Sequence, residues 1–218
     1  MTPDYTTAAI KATETLIKRQ IQRTPIDTLP IVKSLPNVFL LSFAEIASIN
    51  NVDRNDLISC IGMMNQDAIT IVKKDGDLEY LVAYNQYLPH FLIQRALARE
   101  LAHIVLGHDG SKPLEVRNEE AHCFARHLIC PRPLLKAISE ADIPLTEELI
   151  GCLTGCRDRC LEGIRTTPGV HVPAELNRIV REQFSNCIEN FINYANVFKA
   201  KDKSRIADLG SYMDEYED

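Results

Sequence analysis

The chain has 218 residues, 45% of them hydrophobic and 25% charged, with 24 Lys plus Arg against 30 Asp plus Glu and a formal charge of -6. A chain of that length buries about 70% of the surface it exposes when unfolded, which excludes both a disulfide-stapled miniprotein and wholesale disorder. No apolar run approaches the roughly 18 residues of a membrane span, the opening Met1-Thr2-Pro3-Asp4-Tyr5 has no export-signal pattern, and the mildly acidic balance provides no general attraction to nucleic acid.

Residues 6–22 read as an amphipathic helix, with Ala9, Ile10, Ala12, Leu16, Ile17 and Ile21 at roughly helical spacing, broken afterwards by Pro25 and Pro30. Residues 38–43 read as a buried strand, and 44–61 fit either a short helix capped by Asp53 or a long loop. Ile69-to-Val72 and Leu78-to-Tyr84 are strand-like runs, and Asp75-Gly76 between them favours a tight hairpin turn because Gly tolerates positive φ. The most apolar helix is predicted over 90–107, ending at Gly107, and a second over Glu115 to Ile129, stopping before Pro131. Short helices are expected over 132–140 and 146–164, then one long helix from Pro173 to Phe198. The chain closes on the acidic run Asp214-Glu215-Tyr216-Glu217-Asp218, expected to be solvated and mobile.

The chemistry concentrates in Ala98-Arg99-Glu100-Leu101-Ala102-His103. It is the pattern HExxH with Arg99 in place of the first histidine. In the intact pattern two histidines four residues apart share one helical face and bind zinc, and the glutamate polarises the metal-bound water. Glu100 and His103 stand where that chemistry requires them. Arg99 cannot ligate, because its guanidinium stays protonated and offers no lone pair. The following helix carries Glu120-Ala121-His122-Cys123-Phe124-Ala125 and ends Leu128-Ile129-Cys130-Pro131.

These two segments resemble the ImmA/IrrE family of zinc metallo-endopeptidases. That family has a Leu-Ala-His-Glu-Leu-Gly-His helix, a loop, then a Glu-Ala-Asn-x-Phe-Ala helix ending Leu-Met-Pro. Leu97-Ala98-Arg99-Glu100-Leu101-Ala102-His103 matches the first with Arg for His and Ala for Gly, and Glu120-Ala121-His122-Cys123-Phe124-Ala125 matches the second with His for Asn. The resemblance covers roughly residues 8–135. It implies a zincin-like α+β domain, with a small, mainly antiparallel sheet packed on helices, over residues 1–140. A helical C-terminal extension over 141–200 and the acidic tail over 201–218 complete the expected organisation. It further implies zinc held by His103 and Glu120, Glu100 as general base, a cytoplasmic prophage or mobile-element setting, and a helix-turn-helix repressor as substrate or partner.

Three arrangements are open at the substituted position. Arg99 replaces the metal, its charge neutralising Glu100 and Glu120, which would leave a catalytically inactive scaffold that binds its regulator. Alternatively a neighbouring side chain completes a zinc site: Cys123, three residues after Glu120 on the same helical side, or His122 or His108. His108 is five residues from His103 and points elsewhere on a straight helix. In the third, the match is accidental.

The remaining features carry bland readings. The seven cysteines match no disulfide framework and read as reduced thiols. Cys152, Cys156 and Cys160 form a helical stripe best read as small buried groups. Arg157, Arg159 and Arg165 are too sparse for a DNA-binding face, and the basic run Lys199, Lys201, Lys203 and Arg205 reads as a solvated helix end. His90 and His127 are read as structural; His127 falls two turns after Glu120 on the same helical side.

Overall fold

The computed structural model describes residues 1–51, 53, 56, 67–73, 79–155 and 170–198. The predicted hairpin turn at Asp75-Gly76, the possible helix reaching Cys60, Cys156, Cys160, the arginines over 157–165, the basic run and the acidic tail lie outside the described residues. The chain divides into two compact units. One is Asp27–Ala121 with Met1, and the other is Thr2–Ile26 with His122–Asp218. No helix among the described residues is long and apolar enough to cross a membrane.

The second unit opens the chain with α1 (Tyr5–Lys18), whose start is capped by the Asp4 side chain accepting from the Thr7 N–H. The helix stops short of residue 22 because Gln20 turns left-handed, with φ 52. Ile21 N–H then bonds Leu16 O and Gln20 N–H bonds Ile17 O, so the last carbonyls are satisfied by a Schellman turn.

The first unit is a mixed α+β layer. It comprises α2 (Thr28–Lys33), β1 (Val38–Ser42), α3 (Phe43–Asn50), β2 (Ala68–Lys73), β3 (Glu79–Tyr84) and α4 (His90–Val105). The residues left ambiguous by pattern begin with α3, which a capping box installs: Ser42 and Glu45 satisfy each other's backbone N–H groups. β2 and β3 pair antiparallel as expected, from Ala68 opposite Tyr84 to Lys73 opposite Glu79. The sheet is mixed rather than mainly antiparallel, because β1 joins the other edge of β3 in parallel, Val38 opposite Tyr80 through Ser42 opposite Tyr84. With β2 already occupying one edge of β3, β1 can add only at the other.

Register assigns the faces. Thr70, Val82 and Leu40 lie in one row across the three strands, with Val82 fully buried and α4 packed over β2 and β3. Phe39, Leu81 and Ile71 form the adjacent row on the opposite face, where Phe39 and Ile71 are exposed.

α5 (Leu114–Ile129) begins in the first unit and ends in the second. The second unit continues with α6 (Arg132–Glu140), α7 (Glu147–Thr154), α8 (Ala174–Gln183) and α9 (Ser185–Phe198). The predicted single helix from Pro173 is thus two, interrupted at the fully buried Phe184. The backbone bonds Phe184 N–H to Val180 O and Ile188 N–H to Phe184 O keep the two nearly continuous. α8 packs against α1 and α6, and Gln183 donates from its side chain to the carbonyls of Leu16 and Ile21. Leu16, Leu128, Leu134, Leu135, Ile138 and Val180 make its core. α7 ends at Gly155, which takes φ +72, and Cys152 on that helix is exposed, contrary to the buried stripe expected of it. Leu149, Ile150 and Leu153 mark the buried face of the helix, and Cys152 lies off it.

Candidate functional site

α4 carries the altered motif. Ala96, Leu97, Ala98, Leu101 and Ala102 are buried, so Glu100 and His103 are held on a helix locked by its own packing. Glu100 is buried with them and accepts a hydrogen bond from Thr70 Oγ1 on β2 at 2.7 Å. Burial pushes its carboxyl above the usual glutamate range, partly offset by the Thr70 bond and by the Arg99 charge. Arg99 itself is half-buried and makes no ion pair with a described residue.

The end of α4 creates the cluster. Gly107 takes φ +64, the Gly107 N–H bonds Ile104 O, and the His108 N–H returns to His103 O at 2.9 Å. That Schellman turn folds residue 108 back over residue 103. On a continuous helix the two histidines would diverge; here His103 Nδ1 and His108 Nδ1 are 2.7 Å apart. His108 Nε2 lies 2.9 Å from Glu120 Oε2 on α5, with both side chains 2% exposed. The Lys112 ammonium sits 2.7 and 2.8 Å from the two Glu120 oxygens. The Arg117 side chain donates to the Lys112 carbonyl and ties this loop to the start of α5.

Proton placement follows from donor and acceptor logic. Burial holds the His108 pKa below its usual value, against the hydrogen bond and charge of Glu120, so the ring is neutral at neutral pH. Glu120 can only accept, so His108 Nε2 carries the proton. Its Nδ1 is then an acceptor, and His103 Nδ1–H donates to it. Glu120, His108 and His103 form a series, joined through opposite nitrogens of the His108 ring.

The predicted residues are therefore brought together in part. His103 and Glu120 are linked, but through His108, and Lys112 rather than Arg99 holds Glu120. Glu100 is engaged with Thr70. Cys123 makes its contacts in the second unit, its thiol donating to Tyr5 O at 3.5 Å and lying 3.7 Å from His127 Nδ1. His122 is half-buried in that unit.

Zinc requires three or four donors converging on one point. Ligands in series do not converge, and an ammonium on both Glu120 oxygens takes the acceptor capacity a metal would use. Among the described residues no group of three or more His, Cys, Asp or Glu could hold a metal ion. The arrangement does not fit the zinc that the motif implies.

The pattern offered His108 as a candidate but directed it away from His103, and it gave no sign of Lys112. The signal for His108 was Gly107, the residue type that ends helices by reversing the chain. Gly107→Ala tests this link: a Cβ there meets nothing within 4 Å, so the cost is backbone strain alone. The variant is expected to lose about 1 kcal/mol of stability by chemical denaturation, with Gly107→Asn losing less, because Asn tolerates the left-handed conformation.

No family model matches the chain, and no curated protein or solved structure matches it either.

Proposed function

We propose that this chain is a metal-independent, ImmA/IrrE-like pseudo-peptidase of the cytoplasm that binds a helix-turn-helix repressor or similar regulator without cutting it. One observation carries the reading: the Lys112 ammonium rests on both oxygens of Glu120. It supplies the positive charge that a zinc ion would otherwise supply to that carboxylate. Arg99 at the position of the first histidine supports it, since a guanidinium cannot ligate. The regulator as partner follows from the resemblance of the two helical motifs and from nothing else.

The test is zinc titration calorimetry on the full chain and on Arg99→His/Lys112→Gln. The natural chain should bind zinc weakly, and the double variant, which adds an imidazole and frees Glu120, should bind about 100-fold more tightly or better. One tightly held zinc per natural chain, lost in Glu120→Gln, would overturn the proposal and restore the peptidase reading. A repressor encoded beside this chain should form a complex that stays intact with added zinc.

A further inference from the structure

α4 leaves one line of its surface open. From Gln94 to His103 every residue is buried except Arg95, Arg99 and His103, which follow one another at four-residue steps. Four residues advance a helix by about 6 Å and just over one turn, so the three share a face. The half-buried Leu92 and Leu106 extend that face at either end, giving intervals of 3, 4, 4 and 3 residues. That is the spacing of a seam on which a second helix packs. The other sides of α4 are taken by α2, β2 and β3, with Gln94 accepting from the Thr28 hydroxyl and Glu100 from Thr70.

Neither Arg95 nor Arg99 has a hydrogen bond or ion pair among the described residues. Glu100, the one acid of α4, feels the Arg99 charge but is buried and accepts its hydrogen bond from Thr70. The second unit offers the contrast. Its cavity of about 580 Å³, lined in part by His127, has Arg132, Lys136, Arg178 and Arg181 in its wall, and all four already interact within the chain. A half-buried guanidinium has lost part of its hydration, and its planar fork of donors suits a carboxylate. Two such forks one turn apart match two carboxylates one turn apart on another helix.

We infer that the open line of α4 docks a helix of a partner protein carrying an acidic pair at i and i+4 between apolar residues. Arg95 and Arg99 each take one carboxylate, and Leu92 and Leu106 take the apolar ends. Nucleic acid fits this line less well, because two arginines neutralise few phosphates and the chain carries a net charge of -6. The inference rests on, and deepens, the reading of the chain as a module that binds a regulator.

The probe is a helical peptide of about 20 residues, rich in alanine and glutamine. It carries Leu, Glu, Glu and Leu at the intervals of Leu92, Arg95, Arg99 and Leu106, in that order and, in a second peptide, reversed. A control of the same composition moves both Glu to the face opposite the leucines. Backbone amide shifts of the full chain should saturate over residues 92–106 with one of the two peptides, and the control should bind about tenfold more weakly. Arg95→Gln and Arg99→Gln should each weaken binding about threefold, and together about tenfold, as expected of solvent-accessible ion pairs. Arg95→Lys/Arg99→Lys keeps the charges and should keep most of the affinity, which separates lost charge from a disturbed helix. The inference is overturned if neither peptide shifts these amides up to about 10 mM, or if the control binds equally well. It is also overturned if the glutamine variants bind like the natural chain, or if single-stranded oligothymidylate binds this line more tightly than the peptides. A neighbouring repressor that binds the natural chain and Arg95→Gln/Arg99→Gln alike would overturn the docking line and leave the binding module standing. Tightly held zinc in the natural chain would overturn the metal-independent reading whatever the peptides do.

Discussion

Lys112→Ala should destabilise the chain by about 2–3 kcal/mol at neutral pH, and by much less in acid. Removing one member of a buried ion pair typically costs about 3–5 kcal/mol, because the other charge is left desolvated. Glu120 is that other charge, with its side chain 2% exposed, whereas the Lys112 side chain is 37% exposed, so solvent screening lowers the figure. His108 Nε2–H would remain as a donor to the carboxylate but carries no charge. Protonation of Glu120 removes the charge that the ammonium balances, so the penalty should shrink in acid. Urea unfolding of the natural chain and the variant at neutral pH and near pH 4 measures both halves. The same experiment bears on the proposed function. If zinc rather than Lys112 neutralised Glu120, the substitution would cost almost nothing in zinc-loaded protein.

Acidification should cost the second unit about 3 kcal/mol through His127 alone. The His127 pKa falls from 6.5 unfolded to about 4 folded, because the ring is buried and faces the Arg132 charge. Above pH 6.5 the ring is neutral in both states and folding carries no penalty. Between 6.5 and about 4 the unfolded chain binds a proton that the folded chain refuses, so stability falls throughout that window and levels off below it. A difference of 2.5 units, from 6.5 to about 4, corresponds to about 3 kcal/mol. Amide exchange at Leu128 and Leu135, both buried in that unit, should quicken accordingly between neutral pH and pH 4 once corrected for the intrinsic pH dependence of exchange. In His127→Gln the slope across this window should flatten. A slope that persists unchanged would locate the acid sensitivity in another group.

The two sites differ in how much of them a reader of the residues could see. Glu100, His103 and Glu120 were legible because the spacing of HExxH and of the following Glu-Ala segment is a local property of two helices. Their engagement was not. Thr70 reaches Glu100 from a strand thirty residues upstream, and Lys112 reaches Glu120 across a loop whose path depends on the left-handed Gly107. The cavity at His127 joins residues of α1 to residues of α6 and α8, more than a hundred positions further along the chain. No periodicity links them.

By itself the sequence determined the local elements: α1, α4 and α5 from their apolar stripes, α6 from Pro131, and the β2–β3 pairing from two strand-like runs close together in the chain. Side-chain spacing and caps act over a turn or two, so they can be read without knowing the fold. Only the tertiary structure decided the parallel addition of β1, the grouping of α1 with α6 and α8, and the break at Phe184. It also decided that an ammonium meets Glu120, and that His127 Nε2 is buried without a hydrogen-bond partner among the described residues. Those outcomes depend on which surfaces remain to be buried once the local elements exist, and that is settled by packing between distant segments.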